Sequence, residues 1–101
     1  MPRISSKHIA FNATADKVAM NTSCYMWGYL VGCDGSNDPT VSIYDNATAA
    51  SGTELIPTAT YDASALGMNG AMFPEAVMAA NGITVSVTLG SGTCEVVVLY
   101  S

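Results

Sequence analysis

The feature that most narrows the fold is the C-terminal stretch Asn81–Ser101. Ile83-Thr-Val-Ser-Val-Thr-Leu89 alternates apolar and polar residues without a break. A period of two sends successive side chains to opposite faces of an extended strand. Gly90-Ser-Gly92 reads as a turn and Thr93–Tyr100 as a second strand, so the pattern predicts a terminal β-hairpin. The second strand then breaks the alternation. Cys94, Val96, Val98 and Tyr100 face one way, and Val97 and Leu99 face the other, where water is expected. Apolar side chains on such a face mark Val97 and Leu99 as candidate contacts of an oligomer or a larger lattice.

Composition points the same way. A chain of 101 residues makes a single domain, 1–101, that buries roughly two-thirds of its unfolded surface. Only 11% of its residues are charged, against about 25% in a typical domain. Few charges are left to cover the surface, which predicts assembly into a homo-oligomer. The net charge is −5, and the cations Arg3, Lys7 and Lys17 all lie near the N-terminus. Nucleic acid is not expected as a partner, because no basic face exists to neutralise phosphates. Residues 1–7 read as a mobile N-terminal arm. Arg3 and Lys7 would then be further lattice contacts against an acidic partner, the alternative being a merely solvated terminus. Met1–His8 has no apolar signal-peptide core, and no run approaches the ~18 apolar residues that span a bilayer. The expected product is made in a cytoplasm, without a membrane partner.

Strand signals recur at short intervals. Lys7–Phe11, Val18–Met20, Cys24–Val31, Val41–Tyr44, Glu54–Tyr61 and Ala71–Ala80 precede the terminal pair. Ala71–Ala80 competes with a short helix through its Ala and Met content, and its bounding Asn-Gly turns favour the strand. Asp62–Asn69 reads as loop. Cys24–Val31 is apolar on both faces, with Tyr25, Trp27 and Tyr29 on one and Met26 and Leu30 on the other, as in a strand covered on both sides. Pro57 removes a ladder donor and assigns its strand to a sheet edge. The whole predicts an all-β fold, a small antiparallel β-sandwich of about seven strands, jelly-roll or immunoglobulin-like. Cys24 and Cys33 would sit at opposite ends of one strand, too far apart to bond, and three cysteines in a reducing compartment read as buried free thiols.

No constellation with chemistry emerges, so no catalytic, cofactor or metal site is expected. Asp34, Ser36, Asp38 and Asp45 have calcium-loop spacing, but Pro39 stands where such a loop needs glycine. His8 lacks a triad and a nucleophile elbow. Most acids sit in or before turns, the ordinary role of Asp. Asn12-Ala-Thr14, Asn21-Thr-Ser23 and Asn46-Ala-Thr48 match the glycosylation sequon. Tyr25, Trp27 and Tyr29 could stack on a sugar if exposed, whereas their strand is the most apolar of the chain.

Thr40-Val-Ser-Ile-Tyr-Asp-Asn-Ala-Thr48, Ser51-Gly-Thr53, Phe73-Pro-Glu75, Asn81-Gly-Ile-Thr-Val-Ser-Val87 and Gly92-Thr-Cys-Glu-Val-Val-Val-Leu-Tyr100 together give an order of turns and strands. Over about residues 24–100 that order resembles small β-sandwich virion proteins of tailed bacteriophages, of the capsid decoration or cement type. The resemblance implies a non-enzymatic structural protein of the virion. Its implied partners are its own copies, with a trimer suited to local threefold sites, and the major capsid protein. The alternatives are a head–tail or tail component, or a small carbohydrate-binding module using Tyr25, Trp27 and Tyr29.

Overall fold

A computed structural model describes residues 3–34, 38–62 and 69–101. Eight strands form: β1 (Ser5–Phe11), β2 (Ala15–Met20), β3 (Cys24–Cys33), β4 (Thr40–Tyr44), β5 (Glu54–Thr60), β6 (Asn69–Ala79), β7 (Ile83–Thr88) and β8 (Cys94–Tyr100). No helix occurs among the described residues. The strands build two four-stranded antiparallel sheets, with orders β1-β8-β3-β6 (sheet A) and β2-β7-β4-β5 (sheet B). The pairing follows one rule: β1 takes β8, β2 takes β7, β3 takes β6 and β4 takes β5. The first half of the chain thus lies antiparallel to the second, and the double ribbon rolls until β8 meets β3 and β7 meets β4. This is the jelly roll.

The inward stripes explain why the ribbon rolls. Phe11, Met26, Val31, Val41, Ile43, Ile83, Val85, Val87, Val96 and Val98 are each 1% exposed or less. Each such side chain contributes about 1.5–3 kcal/mol when buried, and only a second sheet can cover all of them. Pro57 stands in β5, at the edge of sheet B, where a missing ladder donor costs least.

Three sequence expectations change. The terminal hairpin does not form: β7 lies inside sheet B between β2 and β4, and β8 inside sheet A between β1 and β3. Both strands carry fully buried stripes and face each other across the core, so the chain crosses from one sheet to the other between them. The crossing is tied to the β1–β2 connection, where the Leu89 N–H donates to Thr14 Oγ1 (2.9 Å) and Thr14 Oγ1–H to the Leu89 carbonyl (3.2 Å).

The aromatic row of β3 is also broken. Met26 pairs with Tyr100 and Gly28 with Leu99, which leaves Trp27 as an extra residue in a β-bulge. On the other side, residues 73–76 of β6 bow out opposite the same point. A one-residue bulge inverts the parity of everything after it. Tyr25 therefore faces outward and Tyr29 inward, against Tyr61 and Phe73.

Finally, Ser5, Ser6 and Lys7 belong to β1 and pair with Tyr100, Leu99 and Val98. The expected arm of residues 1–7 thus gives way to a strand from Ser5 onward. The expected loop at Asp62–Asn69 falls largely on residues 63–68, outside the described residues, and Asn69 already opens β6.

Candidate interaction surface

The outer faces of the two sheets differ in chemistry. Sheet B presents chiefly hydroxyls and acids, with Val18 of its edge strand β2 as an exposed apolar side chain. Ser86 Oγ donates to Asp16 Oδ1 (2.6 Å), and the hydroxyls of Thr40 and Thr60 share a hydrogen bond (2.9 Å). Part of this face is covered by the segment after β4. Thr84 is 1% exposed and donates to the Asn46 carbonyl (2.8 Å). Asn46 Oδ1 accepts from the Thr48 and Ala49 N–H groups (2.8 and 2.9 Å), so one sequon, Asn46-Ala-Thr48, is an Asx turn holding that cover.

Sheet A presents an apolar face instead. The register sets its rows: Ser6, Leu99, Gly28 and Met72 lie side by side, and His8, Val97, Leu30 and Gly70 form the next row. Tyr25 pairs with Met78 on one side and exchanges backbone hydrogen bonds with Ser101 on the other (3.0 and 2.9 Å). Trp27 Nε1–H donates to Ser101 Oγ (2.8 Å), which anchors the bulge residue at the same end. Met72, Met78, Tyr25 and Ile4 are 59, 52, 49 and 44% exposed. Gly28 is buried beneath Met72: a Cβ there would stand 2.5 Å from the Ala71 carbonyl oxygen and 3.0 Å from Met72 Sδ. At the polar rim, His8 Nδ1 meets Glu95 Oε1 at 3.1 Å.

Val97 and Leu99 both lie on this face, at its centre. Val97 is only 5% exposed, because its own neighbours enclose it. It forms the floor of the patch, and the exposed methionines and Tyr25 are what a partner would touch. The sequence singles out Tyr25 only as one ring of a sugar-stacking row, and Met72 and Met78 not at all. The Met-rich segment before Ala79 was their signal, since flexible thioethers suit adaptable contact surfaces. Arg3 and Lys7 are exposed but share the parity of Ser5, opposite to that of the apolar face. The structure therefore does not bring Arg3 and Lys7 together with Val97 and Leu99.

The remaining chemistry is sparse. Among the described residues, every buried side-chain polar atom has a partner, and no three potential ligands converge on a metal position. Ser36 of the acidic loop is outside the described residues. Asp34 Oδ2 accepts the Thr93 N–H (2.9 Å), and Asp45 Oδ1 accepts the Asn81 N–H (2.8 Å), so both acids fasten connections. Among the described residues, no helix is long and apolar enough to cross a membrane. No known protein family, curated protein or solved structure matches the chain.

Proposed function

We propose that this chain is a non-enzymatic structural protein of a tailed-phage virion, a capsid decoration or cement protein. It forms a homo-oligomer, with a trimer as the symmetry matched to local threefold sites, and docks on the lattice of the major capsid protein. The observation that carries this reading is the asymmetry of the sandwich: one outer face polar and partly covered, the other apolar and open. A protein that works alone has little use for Met72, Met78, Tyr25 and Ile4 on one surface of a chain with 11% charge. Jelly rolls serve both as viral capsid domains and as lectins, so the fold by itself does not choose between them. Against the carbohydrate-binding alternative stands the bulge, which turns Tyr29 away from Tyr25 and leaves no three-ring platform. The head–tail alternative uses the same apolar face on a different lattice.

Co-sedimentation tests the proposal. Purified protein is mixed with capsids of the encoding phage that lack it. Binding that saturates at a fixed ratio to capsid subunits, and that Tyr25→Lys or Met72→Lys abolishes, supports docking through sheet A. Protein that ignores capsids but is retained on polysaccharide beads overturns the virion reading.

A further inference from the structure

Three features besides the apolar surface itself invite a function: the His8–Glu95 pair at its rim, the Lys17 ammonium 5.0 Å from the Phe11 ring centroid, and the end of sheet A where β3 and β8 finish. The last carries an inference. Cys33 of β3 and Cys94 of β8 are direct register partners. The following pair, Asp34 and Thr93, is joined by the Asp34 N–H donating to the Thr93 carbonyl (3.3 Å). Antiparallel pairs alternate between hydrogen-bonded and non-hydrogen-bonded, so Cys33 and Cys94 occupy a non-hydrogen-bonded site. There Cα atoms stand about 4.5 Å apart and side chains come closest. Disulfides require Cα separations of about 4.4–6.8 Å. The two thiols are near enough for each to shift the other's proton affinity, Cys94 lowering that of Cys33 and Cys33 raising that of Cys94. Both are free, and Cys33 is the more exposed. They also line an open cleft of about 450 Å³ together with Lys17, Gly32 and Thr93. The third cysteine, Cys24, lies at the far end of β3.

We propose that Cys33 and Cys94 are a redox modification site that closes into a cross-strand disulfide on reaction with a low-molecular-weight disulfide. The Cys33 thiolate attacks one sulfur of the small disulfide through the cleft and expels a first thiolate, leaving a mixed disulfide on Cys33. Cys94 gives its proton to solvent and attacks Cys33 Sγ, expelling the second thiolate. The two cysteines lose two protons and two electrons, and the small disulfide takes them up to become two thiols. The reduced pair belongs to a cytoplasm. Once the chain leaves a reducing compartment, the bond would staple the two central strands of sheet A and close a long loop between them. This site does not depend on the virion reading.

The test uses the purified full chain in oxidised glutathione, followed by intact-mass measurement and peptide mapping of alkylated protein. The expected result is a loss of two hydrogens per chain and a Cys33–Cys94 peptide. Cys24 should remain alkylatable after unfolding, and the rise in Tm should be on the order of 10 °C, reversed by dithiothreitol. Cys24→Ala should oxidise as the parent does, and Cys33→Ser should not. An unchanged mass, a stable glutathione adduct on Cys33, or a link through Cys24 would each overturn the proposal.

Discussion

Gly28 and Cys94 show how much single atoms decide in a sandwich this thin. At Gly28 the neighbouring strand passes so close that a methyl group would meet the Ala71 carbonyl oxygen at 2.5 Å and Met72 Cα at 3.2 Å. The obstacle is largely backbone, which cannot rotate away. Gly28→Ala should therefore cost about 1–3 kcal/mol as overpacking and lower Tm by about 5 °C or more in a thermal scan. A change within error would show that β6 can move aside. At Cys94, burial first and the adjoining Cys33 second push the thiol up from 9.0 to about 12. The folded chain keeps this proton at a pH where the unfolded chain loses it. The contribution to stability is complete below about pH 9 and is lost as pH rises toward 12. Burial shifts Tyr61 in the same direction, aided by its hydrogen bond to the Tyr29 hydroxyl (3.0 Å). Tm measured across this window should fall with rising pH, and less steeply in the disulfide form, which has no Cys94 thiol to titrate. An equal fall in both forms would remove Cys94 from the account.

At the level of elements, the sequence made the strands legible and their partners much less so. Period-two alternation marked β7 and the inward stripe of β8, and Pro57 correctly assigned β5 to an edge. The hairpin between β7 and β8 failed because alternation describes the faces of one strand and carries no information about which neighbour completes its hydrogen bonds. A short Gly-Ser-Gly link fits a crossing between sheets as well as a turn within one. The bulge at Trp27 was hidden for a similar reason: an all-apolar strand gives no sign of where its phase slips. Hence the outward side of Val97 and Leu99, in an unbroken strand, was legible, whereas Tyr25 was grouped with Trp27 and Tyr29 in one row and Met72 and Met78 were not singled out. The N-terminal strand gives a direct test of the revised boundaries. Deleting residues 1–3 leaves β1 whole and should leave Tm unchanged. Deleting residues 1–7 removes the ladder from Ser5 to Lys7 against Val98–Tyr100 and uncovers that end of β8. It should lower Tm clearly and speed amide exchange in β8. Equal stability of the two truncations would return Ser5–Lys7 to the status of an arm.

For the whole molecule the question is what covers the open face of sheet A. The principal extents are 38 × 26 × 19 Å, so a broad face measures roughly 1,000 Å² in projection. A standard protein interface takes about 800 Å² from each partner, so one face of this chain has room for one. Its apolar residues are Val97 and Leu99 on central strand β8 and the more exposed Met72, Met78 and Tyr25 on β6 and β3 beside it. Its rim carries the His8–Glu95 pair, and apolar cores with polar rims are the common anatomy of such surfaces. Light scattering at tens of micromolar should therefore give a mass that is a multiple of 10.4 kDa, with three copies expected for the trimer. Tyr25→Lys combined with Met72→Lys places two cations on the patch, where association would desolvate them, and should yield a monomer at the same concentration. Both side chains are about half exposed in the single chain, so Tm should stay within a few degrees and loss of association cannot be mistaken for unfolding. A parent chain that is already monomeric would count against the proposed oligomer and leave the proposed capsid contact as the use of the apolar face. A double variant that still associates would move the contact elsewhere, the unpaired edge of β1 with Arg3 and Lys7 being the next surface to alter.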